Sequence, residues 1–96
     1  MPAYWIAHVT VTDDEAYGEY AKRAGPAIAS HGGRFLARGG RCVGLEGDTR
    51  PRNVVVEFPS VEAAESCYRS FEYQEALGFA RGASERDLMI IDGVTP

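Results

Sequence analysis

The eleven residues from His31 to Arg41 constrain this chain more than any other stretch. They hold two glycine pairs, three arginines and a histidine. Such a run reads at first as a phosphate cradle or a basic binding loop. A phosphate loop sets its glycines before a helix, where backbone N–H groups and the positive dipole end meet the anion. Here the order is reversed. Ala16, Tyr17, Tyr20, Ala21, Ala24 and Ile28 recur at helical spacing, so Gly32-Gly33 follow a helix. His31 in the last turn with Gly32 behind it is an ordinary helix end. Arg34 to Arg38 then reads as a strand, Gly39-Gly40 as a bulge or bend, and Arg41 to Glu46 as continued strand.

The rest of the chain falls into place around this segment. Tyr4 to Val11 alternates bulky and β-branched residues and predicts a first strand. Thr12 and Glu15 have capping-box spacing before the helix. Gly25-Pro26 predicts a kink or restart within it. Asn53 to Phe58 is a third strand, stopped by Pro59. Ser60 is placed to cap a helix carrying Val61, Ala64, Tyr68 and Phe71 on one face. Ser70 can cap a second short helix, from about Phe71 to Ala80, and Asp87 to Asp92 is the last strand. Strand, helix, strand, strand, helix, strand is the ferredoxin-like βαββαβ order. It predicts an α+β fold with a four-stranded antiparallel sheet and its helices on one face. With 96 residues the chain is expected to form a single domain, 1–96.

A net charge of −4 without a basic patch argues against nucleic acid as a partner. No apolar run approaches the ~20 residues of a membrane span. The N-terminus lacks the basic and apolar regions of a signal peptide, so a cytoplasmic protein is expected. Cys42 and Cys67 are far apart in sequence, with no CxxC and no histidine at ligand spacing, so no metal site is expected.

Strand alternation divides each strand between two faces. Trp5, Ala7, Val9, Val11, Val54, Val56, Phe58, Phe35, Ala37, Leu88 and Ile90 are expected beneath the helices. The other face then holds Tyr4, Ile6, Leu36 and Val55, with His8, Glu57 and Arg38 among them. That face is too apolar for solvent. The chain has no spare element to cover it, so a second copy is expected there, giving a dimeric α+β barrel with a cavity. His8 and Glu57 form a candidate general-base pair, and Arg38 a candidate carboxylate or enolate contact. Tyr20 and Tyr68 could offer hydroxyls at a cavity mouth, or simply be core residues with a wet tip. Arg81, before a helix-ending glycine, could bind an anion at the rim or only complement the helix end.

Several segments together resemble one pattern. They are Tyr4-Trp5-Ile6-Ala7-His8-Val9, His31 through Gly40, Val55-Val56-Glu57-Phe58-Pro59-Ser60, Tyr68, Ser70-Phe71-Glu72-Tyr73 and Arg81-Gly82-Ala83. The pattern is that of a bacterial domain-of-unknown-function family of small proteins in the dimeric α+β barrel superfamily. Phe71 departs from it, standing where that family usually has proline. The resemblance implies the fold and a homodimer, but no particular reaction. Two functional expectations follow. One is small-molecule binding or a cofactor-independent enzyme, of isomerase or monooxygenase type, in a dimer-interface cavity with a small acidic or aromatic ligand. The other is a non-catalytic ligand-sensing or structural module.

Overall fold

The computed structural model describes residues 1–95. Its elements are β1 (Ala3–Val11), α1 (Asp14–Ser30), β2 (Arg34–Arg38), β3 (Arg52–Phe58), α2 (Val61–Arg69), α3 (Phe71–Ala80) and β4 (Ser84–Asp92). The strands form one antiparallel sheet in the order β2-β3-β1-β4. The helices cover one face of it. Beneath them lie Trp5, Val9, Val56, Phe58, Cys67 and Tyr73, all buried. Trp5 anchors this layer: its ring meets Tyr73 edge-on at 5.0 Å and Phe58 at 5.6 Å. Such aromatic pairs add to the area they bury. No helix among the described residues is long and apolar enough to cross a membrane.

The helix boundaries follow from capping. Ser60 Oγ accepts from Ala63 N at 3.0 Å, and Ser70 Oγ accepts from Tyr73 N at 3.2 Å. Ser70 ends α2 and opens α3 at once, so the break does not need a proline at position 71. Phe71 is not part of the core face expected for it. As the first residue of α3 it points to solvent, 77% exposed. At the start of α1 the cap is Asp13, whose carboxylate accepts from Ala16 N, rather than the Thr12–Glu15 box. Thr12 N is engaged elsewhere, donating to Ala83 O at 2.8 Å.

Pro26 does not interrupt α1, which runs unbroken through it. Lys22 and Pro26 both lie on the solvent side, so water can serve the Lys22 carbonyl that proline leaves without a donor. The helix ends as expected. Gly32 has φ +83°, and a Cβ on Gly33 would meet Ile28 Cγ2 at 2.5 Å and Phe58 Cζ at 2.9 Å. The glycines stop the helix and let β2 start against the core.

β2 differs from expectation in two ways. Residues 41–46 are not strand. Gly39 N donates the last bond, to Asn53 O, and Gly39 then turns at φ +69°. β3 starts at Arg52, so nothing is left for a longer β2 to pair with. Inside β2, Phe35 pairs with Val56 but Ala37 pairs with Val55, which makes Leu36 an extra, bulged residue. The bulge reverses the faces of Ala37 and Arg38. β4, conversely, starts three residues earlier than expected, at Ser84, because its pairing with β1 extends to Val11↔Ser84.

The uncovered face carries Tyr4, Ile6, Leu36, Val55, Met89 and Ile91. Leu36, Met89 and Ile91 are each about half exposed, at 50%, 51% and 47%.

Candidate functional site

β1, β3 and β4 set three residues side by side on the helix-covered face. Val9 pairs with Arg52 on one side and with Arg86 on the other. Two arginines therefore flank an apolar residue under the helices, where strand alternation would otherwise place core side chains. Arg86 is the more engaged. Its Nη2 donates to Tyr20 Oη at 2.9 Å and to Tyr73 Oη at 3.1 Å, and those hydroxyls bond to each other at 2.8 Å. The guanidinium also stacks 4.7 Å from the Tyr20 ring centre. α1 supplies Tyr20, α3 supplies Tyr73, and β4 supplies Arg86, so three elements converge on one triad.

The triad is neutral, neutral and positive. Burial holds the Tyr20 hydroxyl far above the ordinary tyrosine range, with Tyr73 adding to the effect. Burial raises Tyr73 as well. Burial works against the Arg86 cation, but the two tyrosine oxygens facing it more than compensate, and it holds its proton beyond the ordinary arginine range. No carboxylate pairs with Arg86 among the described residues, and its buried Nε meets no protein acceptor. A partly buried cation kept without a counter-charge is costly for a residue with only a structural role.

Beside the triad lies an open cleft of about 350 Å³ between α3 and β4. It is lined by Tyr68, Leu77, Arg81, Ser84, Arg86 and Leu88, with Ala80 at its floor. Its volume lies at the small end of ordinary ligand pockets. Leu77, Ala80 and Leu88 beside two arginines suit a molecule that is hydrocarbon at one end and anionic at the other.

The candidates read from sequence divide between the two faces. Tyr20, Tyr68 and Arg81 come together around Arg86. Tyr20 is core, with its hydroxyl on Arg86, and Tyr68 is half-buried at the cleft. His8 and Glu57 share the uncovered face but do not meet. His8 stands opposite Asn53, and Glu57 opposite Tyr4, four residues along β1 and so roughly 13 Å apart. Glu57 is held by Arg34 Nη2 at 2.9 Å and approached by Tyr4 Oη at 3.5 Å. Arg38 does not join them. The bulge puts it on the helix side, over the Phe35 ring at 4.1 Å and facing Gly25 of α1. Strict alternation had aimed it the other way.

His8 has its own setting. Asn53 Nδ2 donates to Arg50 O at 3.0 Å, which turns Asn53 Oδ1 toward His8 Nδ1 at 2.6 Å. The proton of the neutral ring is thereby fixed on Nδ1, leaving Nε2 as the acceptor. His8 lines a polar groove of about 660 Å³ with Thr10, Cys42, Asp48, Arg50 and Asp87.

Arg86 escaped sequence reading. A lone arginine in Ser84-Glu85-Arg86-Asp87 looks like solvent-facing polarity. The one signal was parity: Arg86 is two residues before Leu88 and four before Ile90, the positions assigned to the core face.

The sheet, its strand order and its one-sided helices define a ferredoxin-like α+β protein. The chain belongs to the family described as Domain of unknown function (DUF1330), which matches residues 2–94. No curated protein matches it. Among solved structures it is similar to the RPA0582 protein of unknown function from Rhodopseudomonas palustris, at 23% identity and a TM-score of 0.74, covering 99% of this chain and 84% of that one. It is also similar to SnoaB, a cofactor-independent oxygenase from Streptomyces nogalater, at 9% identity and a TM-score of 0.70, covering 99% and 95%. A dimeric ferredoxin-like protein of unknown function from Jannaschia sp. CCS1 is similar at 10% identity and a TM-score of 0.68, covering 97% and 100%. These likenesses show the fold.

Proposed function

We propose that this chain binds a small organic acid with an aromatic body in the cleft between α3 and β4, and that it works as a homodimer paired through its uncovered sheet face. The observation that carries the binding reading is Arg86, a cation fixed by two buried tyrosines, unpaired with a carboxylate among the described residues, and lining a cleft beside Leu77 and Leu88. Arg81 at the cleft rim supplies a second charge. The acid's carboxylate meets the guanidinium groups, and its ring lies against Tyr68, Leu77 and Leu88.

The enzymatic form of this reading is cofactor-independent isomerisation or oxygenation. The likeness to SnoaB supports it at the level of fold alone. A second reading rests on His8, whose fixed tautomer leaves Nε2 as a base in the groove on the uncovered face.

Calorimetric titration with benzoate separates these. The wild type should bind one equivalent per chain. Arg86→Met should weaken binding at least tenfold, the scale of a lost charge-assisted hydrogen bond. Arg81→Ala should weaken it by less, and His8→Gln should leave it unchanged. A loss confined to His8→Gln would move the site to the groove. No saturable binding to the wild type would overturn the cleft reading.

A further inference from the structure

A second and much smaller space is lined by Arg86 together with residues of α1 and of the sheet. It is a void of about 30 Å³. A void of ~10–15 Å³ is the minimum for one water. This one admits a water or a single monatomic anion, and no ring. Its lining includes Trp5, Tyr17, Tyr20, Arg38, Arg52 and Arg86. Three guanidinium groups thus border it, and no aspartate or glutamate does. Two donors at this wall are buried without a protein acceptor, Arg52 Nε and Arg86 Nε. They belong to the two residues that flank Val9 in one row across the sheet. Aromatic rings already face the guanidinium planes: Arg52 lies 5.9 Å from the Tyr17 ring centre and Arg86 lies 4.7 Å from that of Tyr20. With rings on their faces, the unmet Nε donors leave the guanidinium edges as the place for a ligand.

We infer that this void is a binding site for a halide-sized inorganic anion, held between Arg52 and Arg86 under α1. Water could accept from both Nε atoms but would not offset their positive charge. A monovalent anion accepts both bonds and neutralises part of that charge. The site is separate from the organic-acid cleft. It shares Arg86 with that cleft, but Arg81 and Tyr68 take no part in it and Arg52 takes no part in the cleft, so Arg52→Met and Arg81→Ala tell the two readings apart.

Bromide is the probe. Crystals of the wild type grown in sodium bromide should show an anomalous peak between Arg52 and Arg86. In solution, bromide should raise Tm saturably above gluconate at equal ionic strength, since a ligand of the folded state stabilises it by mass action. Iodide should quench the buried Trp5, the only tryptophan, with a saturating rather than linear dependence. Arg52→Met should abolish the peak and the saturable response, and Arg81→Ala should preserve both. Should Arg52→Met fail to fold, Arg52→Lys keeps the charge but lacks Nε, and it should weaken bromide binding several-fold. A water refined in the void, a Tm that depends only on ionic strength, or a bromide peak that survives Arg52→Met as an adventitious ion only would each overturn the inference.

Discussion

Arg86 shows how a single residue can be misread. Its neighbours in sequence are charged, and nothing in its type marks it as partly buried. Only its parity with Leu88 and Ile90 puts it under the helices. Arg38 was misread for the opposite reason. Strict alternation puts it on the uncovered face, and the bulge at Leu36 breaks that alternation. Tyr20, Tyr68 and Arg81 were legible, because helical spacing and the helix-ending Gly82 fix where they sit. The His8–Glu57 pair failed on distance rather than on face: alternation reports the side of a sheet but not the register between strands. Cys67 is a fully buried residue of α2, and its environment makes a prediction. Burial, with Glu72 nearby, raises its thiol from the ordinary 9.0 to about 11. The folded state thus keeps the proton that the unfolded chain gives up. The stability due to this thiol is whole below pH 9 and is lost as pH rises from 9 toward 11, a fall of roughly 2–3 kcal/mol. Urea unfolding at a series of pH values should show that decline in the wild type. In Cys67→Ala the decline should be absent between pH 9 and 10, leaving only the later fall above pH 10 as Tyr20 and Tyr73 come into play.

At the scale of elements, every helix and strand centre was legible, and the ends were less so. Ser60 and Ser70 announced α2 and α3 because a serine before an apolar run has few other uses. Thr12 has capping-box spacing to Glu15, yet Asp13 beside it is an equally good capping residue, and local sequence does not choose between the two. Residues 41–46 have strand-like composition, but a strand needs a partner, and β3, starting only at Arg52, has none to supply. Pro26 tests how far α1 depends on its surroundings. Proline in a helix interior costs about 3 kcal/mol against alanine, partly offset by the stiffer unfolded chain. With Pro26 exposed, Pro26→Ala should raise stability by about 1–3 kcal/mol, read as a higher urea midpoint at constant slope. An unchanged midpoint would mean that the proline ring makes packing contacts worth as much as the missing bond.

As a whole the molecule is a slab, 38 by 36 by 16 Å between its outermost Cα atoms. Sixteen ångströms is one sheet and one helical layer, which leaves the far side of the sheet bare. Leu36, Met89 and Ile91 on that side, with Val43 and Leu45 in the neighbouring 39–51 segment, are all well exposed. Apolar residues left bare on a sheet face support the pairing proposed above. Ile91→Glu should therefore convert a dimer into a monomer with unchanged circular dichroism, as judged by light scattering on size exclusion. A wild type that elutes as a monomer at micromolar concentration would refute the pairing. The bulge at Leu36 bears on both sides of this slab. An extra residue in a strand behaves like a dislocation in a lattice: the order on either side is intact, but the phase between the two is slipped by half a period. Phe35 and Arg38 are thereby turned to the same side, although the spacing between them should set them on opposite ones. The short strand contributes an aromatic ring and a guanidinium to one surface, and Leu36 and Ala37 to the other. Deleting that one residue would leave Ala37 opposite Val55 and Arg38 opposite Val54, each on the surface it serves now, and would return the strand to strict alternation.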